Sequence, residues 1–353
     1  MSGNTFGSVF RLTTFGESHG PGLGGVVDGC PAGIPMSEAI IQQELDKRKP
    51  GSGKASTARK EADKISILSG VFDGVTTGTS IGFYVENEDQ RSRDYSELKD
   101  VFRPGHADFS FHAKFGQRDY RGGGRSSGRE TLSRVAGGAI AQELLREQGI
   151  VLYAYTTELG GIPVEKMDFA NASDTPYFSA DSNIVSAWDK RIDEVRREGD
   201  TLGGVVEIRA VGVPPGLGEP VFDKLDARLA YALMSVGAVK GVEVGAGCAA
   251  ARSTGSLNND YMTLDGFASN NAGGILGGIS SGQDIVARAY VKPIPSIAKE
   301  QQCMHRNGGT VCVRVGGRHD ICAIPRINPV LKAMTALALA DLLLLDRRLG
   351  ERQ

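Results

Sequence analysis

The sequence predicts an α+β fold with antiparallel sheets, and three observations carry that expectation. Strand-like runs come in groups and do not alternate strictly with helices. Helical periodicity is confined to five separated segments. No repeat of 20 to 50 residues and no low-complexity linker cuts the chain, so residues 1–353 are expected to form one domain.

Taken in order, Ser37 is a cap for the helix "EAIIQQELDKR" (38–48). The runs "ISILSGV" (65–71) and "TSIGFYVEN" (79–87) read as strands. Ser127 opens a helical run through Glu147, with Leu132, Val135, Ala136, Ala139, Ile140 and Leu144 on one face. Ser127 and Glu130 match the S-x-x-E capping box. Helix "NIVSAWDKRIDEVRRE" (183–198) precedes strand "GVVEIRAVGV" (204–213), and helix "FDKLDARLAYALMSV" (222–236) precedes strand "DIVARAYVK" (284–292). "TVCVRV" (310–315) is a last strand, and a last helix is expected to start near Pro329.

Glycine, at 48 residues, is used roughly twice as often as the usual ~7%, in clusters that read as tight turns and close backbone approaches. The net charge of −2 gives no reason to expect nucleic acid or an anionic membrane as partner. "MSGNTFGSVFRLTTFGES" lacks the apolar core of a signal peptide. The apolar stretch "VLKAMTALALADLLLL" (330–345) is interrupted by Lys332 and Asp341 and falls short of the ~20 residues of a membrane span. A cytoplasmic protein is expected. The five cysteines include no C-x-x-C pair, and the spacing of Cys303, His305, Cys312, His319 and Cys322 matches no usual zinc pattern, so no metal is expected.

Chemistry concentrates elsewhere. In "RGGGRSSGRE" (121–130), three successive glycines, three arginines and two serines run into a helix start, where free N–H groups and guanidinium groups together suit a large anion. "KRKPGSGKASTARK" (47–60) carries six basic residues and no acidic one, which reads as a mobile basic loop. Three nucleotide look-alikes fail on context: "GPGLGG" (20–25), "GAGCAA" (245–250) and "GSGKAS" (51–56) lack the following helix or the required residues. His19 in "GESHGPG" and His106 in "RPGHAD" sit in glycine- and proline-rich turns, where an imidazole can move a proton. "SNNAGGILGGISSG" (269–282), "KPIPS" (292–296) and "GGRHD" (316–320) add further exposed backbone and charge. The sum suits a ligand rich in phosphate and carboxylate.

Three of these segments resemble the signatures of the chorismate synthase family: "TTFGESHGPGLGGVVDGCPAGIP", "DVFRPGHAD…GQRDYRGGGRSSGRETLSRVAGGAIA" and "GGRHDICAIPR". "SILSGVFDGVTTGTSIGF", "GEPVFDKLDA", "MSVGAVKGVEVG" and "SNNAGGILGGISSGQ" match between them, so the resemblance covers nearly the whole chain. It implies a β-α-β sandwich with helices between two antiparallel sheets, assembled as a homotetramer. It implies an anti-1,4 elimination of phosphate from 5-enolpyruvylshikimate-3-phosphate to give chorismate. Reduced FMN is required without net redox change, with NADPH as an external reductant in some members.

By the same resemblance, His19 corresponds to the histidine near the departing phosphate and His106 to the one near flavin N1. Asp320 corresponds to the acid near flavin N5, and Ser18 and Ser127 support the network. Arg48, Lys54, Arg103, Arg129 and Arg318 match positions around substrate. Arg125, Ser126, Ser127, Gly237, Ala238, Gly277, Gly278, Lys292, Pro293, Ile294, Pro295, Ser296 and Arg318 match flavin-contacting positions. The chain departs from the family at Lys54, where many members have arginine and a fork becomes a point charge. Gly237 replaces a common asparagine and Asn271 a common histidine. Two other classes of function remain open from the residues: a phosphate-ligand binding protein without turnover, and an RNA-binding protein, which fits the charge poorly.

Overall fold

The computed structural model describes residues 3–49, 55, 63–87, 99–314, 320–348 and 350. Its helices are α1 (Glu38–Arg48), α2 (Asp108–Phe115), α3 (Thr131–Arg146), α4 (Val185–Arg197), α5 (Leu225–Met234), the single turn α6 (Gly255–Asn258) and α7 (Ile324–Arg348).

Two five-stranded antiparallel sheets flank the central helices. The N-terminal sheet runs in the order Thr5–Phe6, Arg11–Gly16, Gly22–Asp28, Ile81–Glu86, Ile65–Ile67. The other runs Ile162–Pro163, Val151–Leu159, Gly204–Val211, Ile285–Val291, Val239–Val244. Helix α3 packs on the N-terminal sheet and on α7, which in turn packs on the other. Alternation makes this layering possible: Ile81, Phe83 and Val85 are buried while Gly82, Tyr84 and Glu86 face the other way. The result is an α+β architecture with helices between antiparallel sheets, as expected. A third sheet, Thr310–Val313, Gln301–His305 and Val101–Phe102, carries α2 beside it.

One continuous apolar cluster reaches from Phe10 to Leu344 and includes Leu132, Val135, Ile140, Leu331 and Leu337. The two central helices approach closely where Gly138 of α3 meets Ala333 of α7: a Cβ at Gly138 would lie 2.3 Å from that of Ala333. A glycine that is unfavourable for an isolated helix is thus required by this crossing.

Helix α7 differs from expectation. It begins at Ile324, five residues before Pro329, which lies inside it. Pro325 already occupies the first turn, where a missing N–H is harmless. At Pro329 one helical bond is lost, while the neighbouring Asn328 Nδ2 donates to the Ile324 carbonyl at 2.9 Å. At 25 residues the helix is long and apolar enough to cross a membrane, but 94% of its apolar window is buried inside the fold.

The strands Arg11–Gly16, Gly22–Asp28, Val151–Leu159 and Gln301–His305 are among those that fall where the sequence pattern predicts none. The glycines of Gly22–Asp28 have the composition of a turn but make room for rings. A Cβ at Gly22 would meet the Tyr84 hydroxyl, one at Gly24 the Phe15 ring and one at Gly25 the Phe83 ring, all within 2.6 Å.

Candidate functional site

The 121–130 segment folds as two successive tight turns, Gly124–Ser126 and Gly128–Glu130, before α3 begins at Thr131. Gly122, Gly123 and Gly124 have φ of 68°, 89° and 53°, which residues with side chains rarely adopt. Gly122 also lies directly on His19, since a Cβ there would come within 2.3 Å of its Cε1. The close approach these glycines allow is therefore, in part, to a histidine of the chain itself.

The capping box does not form. The Ser127 hydroxyl accepts from Arg129 N–H at 3.4 Å, but the Ser127 N–H is already donated to the Gly124 carbonyl. Glu130 turns to the sheet, accepting from the Thr14 hydroxyl at 3.2 Å and from Arg134 Nε at 2.9 Å.

His19 is buried in the turn between the first two long strands, its Nδ1 3.1 Å from Ser18 Oγ. The turn is held by Asn87, at the end of strand Ile81–Glu86. Asn87 Nδ2 donates to the carbonyls of Glu17 (3.0 Å) and Gly20 (2.8 Å), and its Oδ1 accepts from Arg129 Nε at 2.7 Å. Arg129 Nη1 also meets Asp63 Oδ1 at 3.0 Å. Arg48, the last residue of α1, reaches the other Asp63 oxygen at 3.6 Å and donates to Thr131 Oγ1 and the Gly128 carbonyl. Two arginines expected around substrate therefore converge on one buried carboxylate. Sequence reasoning missed both Asp63 and Asn87. Nothing local marks them, apart from Asp63 being an acid just past the basic stretch.

His106 anchors a second part. Its Nδ1 donates to the Pro104 carbonyl at 3.0 Å, since a carbonyl can only accept. That tautomer leaves Nε2 to accept from the Ser296 hydroxyl at 2.9 Å. Burial, then the nearby Arg103 and to a lesser extent Lys292, hold the imidazole neutral, down to about 4, against the pull of the Pro104 carbonyl and Asp108. Lys292 donates to the Gly105 carbonyl at 2.9 Å, and its backbone N–H meets the Ala238 carbonyl. Burial and Lys240 lower its proton affinity. Pro295 packs against Gly105, and the Ile294 carbonyl accepts from Thr201. Arg103 grips Asp108 with Nε (2.8 Å) and Nη2 (2.9 Å), and Arg118 approaches the same carboxylate. Asp108, another residue not foreseen, is thereby engaged by two guanidinium groups, and its remaining pull on His106 is weaker than the effect of burial and Arg103. Burial opposes its ionisation, but the Arg103 bonds outweigh that and hold it below the usual carboxylate range.

The remaining positions divide. Arg125 folds back onto the N-terminal sheet, donating to Thr14 Oγ1 at 2.6 Å and approaching the Gly16 carbonyl, and Ser126 Oγ donates to the Gly123 carbonyl. Gly237 and Ala238 form the turn after α5, with Ala238 at φ 76°. Gly277 and Gly278 form the tip of the hairpin Ile275–Ser280, where Gly278 packs on Lys224 and its carbonyl accepts from Leu225 N–H at the start of α5. Asp320 pairs with Arg326 Nε at 3.1 Å. Its neighbour Ile321 donates its N–H to the carbonyl of Ala55, in the middle of the basic stretch, which brings that residue close to this acid. Lys54, Arg318 and most of the loop 47–60 lie outside the described residues.

Known proteins resemble this chain along nearly its whole length. A family model for chorismate synthase matches residues 10–344. The chain belongs to the chorismate synthase family. A chorismate synthase of Maridesulfovibrio salexigens is 69% identical over 350 residues, 99% of this chain and 100% of that one. Another, of Nitratidesulfovibrio vulgaris, is 66% identical over 353 residues and 100% of both chains. A crystal structure of chorismate synthase has a TM-score of 0.77 at 33% identity, covering 97% of this chain and 93% of its own. Chorismate synthases are lyases of the shikimate pathway, and the chain's function is that of its family: loss of phosphate from 5-enolpyruvylshikimate-3-phosphate to give chorismate.

Proposed function

We propose that this elimination takes place between the two histidine clusters, with FMN in its reduced form as cofactor and the arginines around Asp63 as the anchor for substrate. The supporting observation is the 121–130 segment: it touches His19 through Gly122, places Arg129 beside Asp63, and passes Arg103 at Gly123.

The donors near His106 fit an anionic cofactor. Ser296, Lys292 and the Gly237–Ala238 turn gather there, and the nearby carboxylate, Asp108, is engaged by arginines. When bound, reduced flavin supplies electron density to the allylic system. A negative charge beside His106 raises its proton affinity, so the imidazole that is neutral in the free protein becomes able to hold a proton at Nε2. Pro104 fixes which nitrogen that is. Ser126 and Arg125 border the same segment. Pro293 to Pro295 supply the wall, and Gly277 and Gly278 are read as further backbone contacts to the cofactor.

On the substrate side, Arg48 and Arg129, with Lys54 and Arg318, hold carboxylates and phosphate. Arg103 contributes the terminal nitrogen that Asp108 leaves over. His19, bridged to Ser18, donates to the departing phosphate, and fixed cations stabilise the charge that develops on it. Ser127 keeps the Arg129 backbone in place, and Asp320 assists removal of the ring hydrogen. The continuous core supports one domain. We further read the protein as a cytoplasmic homotetramer, with no nucleic acid, membrane or metal in its function.

An anaerobic assay of chorismate absorbance tests this. With dithionite-reduced FMN and substrate, turnover is expected without stoichiometric consumption of reductant, and none with oxidised FMN. Turnover in air without flavin, or binding without turnover, overturns it. NADPH in place of dithionite shows whether the chain reduces its own flavin.

A further inference from the structure

The Asn87 residue makes four polar contacts, and together they join two parts of the site that the sequence keeps far apart. Its backbone N–H donates to the Pro21 carbonyl at 3.0 Å. Its Nδ2 spans the 17–20 turn, donating to the carbonyls that open and close it. Its Oδ1 accepts from Arg129 Nε. The amide orientation is determined: the flipped form would set oxygen against two carbonyls and nitrogen against a guanidinium. Only an amide of this length donates twice to one side and accepts on the other. Asp63 completes the arrangement, taking Arg129 Nη1 while Asn87 takes Nε, so the guanidinium plane is fixed at two points.

We propose that Asn87 is a positioning residue for the reaction, coupling the His19 turn to the Arg129 guanidinium so that the proton-donating and anion-holding sides of the site keep one spacing. The inference rests on the roles given to His19 and Arg129 above. A turn tied only for stability would need the two carbonyl bonds; the bond to Arg129 gives stability no evident need and gives substrate alignment a direct one.

The test is a double-mutant cycle on the full chain with reduced FMN, reading kcat and KM for the shikimate phosphate ester. Asn87→Ala is expected to raise KM and lower kcat by roughly tenfold each, the scale of a modest misplacement of reacting groups. In an Arg129→Ala background, adding Asn87→Ala should leave KM within about twofold of Arg129→Ala alone, while the loss in kcat persists through the turn. Independent, multiplying effects on KM would overturn the coupling, and so would wild-type kinetics in Asn87→Ala. Should Asn87→Ala fail to fold, Asn87→Asp keeps the shape and the acceptor but loses both donors and partly neutralises Arg129. Wild-type kcat and KM in that variant would overturn the proposal equally. Absence of turnover in the wild type would instead strike the functional reading on which the proposal rests.

Discussion

Two buried aspartates, Asp341 and Asp63, each face arginine, but their donors are attached in different ways. Asp341 lies in the middle of the apolar α7 and is fully buried. It accepts from the backbone N–H groups of Ser8 (2.9 Å), Val9 (2.6 Å) and Phe10 (3.0 Å), and from Arg228. Asp63 is nearly as buried, yet its ion pairs are to Arg48 and Arg129, two guanidinium groups on long stems from different elements. Backbone donors give all they have to the carboxylate, whereas a guanidinium held by a carboxylate still has further N–H groups to offer a ligand. The difference lies in how donors are attached, and composition does not reveal it.

The largest effect that would sharpen this contrast is on stability. Asp341→Asn strips a buried charge from Arg228 and weakens three backbone bonds, and should cost about 3–5 kcal/mol in denaturant unfolding, with the specific activity of folded protein unchanged. Asp63→Asn should cost less than half of that and act chiefly on KM. Equal stability losses would erase the distinction.

Next comes His106→Ala, expected to lower turnover by ~10²-fold or more while the protein stays folded. The wild-type imidazole is held near 4, below the ~6.5 of an unfolded chain. Its contribution to stability is therefore complete above pH 6.5 and lost as pH falls toward 4, by at most about 3 kcal/mol. Unfolding curves of wild type and variant should converge in that window; parallel curves would mean the histidine is not held neutral.

Arg129→Ala should weaken substrate binding by about 10- to 150-fold, the worth of one charge-assisted bond. Arg129→Lys should recover only part, because an ammonium cannot meet Asn87 and Asp63 as a fork. Wild-type affinity in a titration of Arg129→Ala would make Asp63 a structural acid like Asp341. The smallest effect belongs to Ser37→Ala. Ser37 Oγ accepts from Ile40 N–H at 3.4 Å, and its loss should cost about 1 kcal/mol with no change in KM, although Arg48 stands at the other end of the same helix.

Much of this was readable in the chain. The cap and extent of α1 follow from Ser37 and the residues after it. The apolar face of α3 follows from its three-and-four spacing, and the strands around 81–86, 204–211 and 285–291 from β-branched runs. The misreadings share a cause: they are places where a distant partner outranks the local signal. Glu130 is drawn to Thr14 and Arg134 instead of closing a capping box, and the glycines of 22–25 lie in a strand because Phe15, Phe83 and Tyr84 need their space. Pro329 is tolerated within α7 because burial of the long apolar helix outweighs the one bond it loses.

By itself the sequence determined the type of its most strongly patterned elements and, through motif order and spacing, the family. Those properties depend on neighbours within a few residues or on identity along the chain, which one sequence carries. Only the tertiary structure decided that Arg48 and Arg129 share Asp63, and that Asn87 ties the His19 turn to the start of α3. These pairs are set by how the N-terminal sheet packs on the helices, and no local pattern records which residue of one element will face which residue of another.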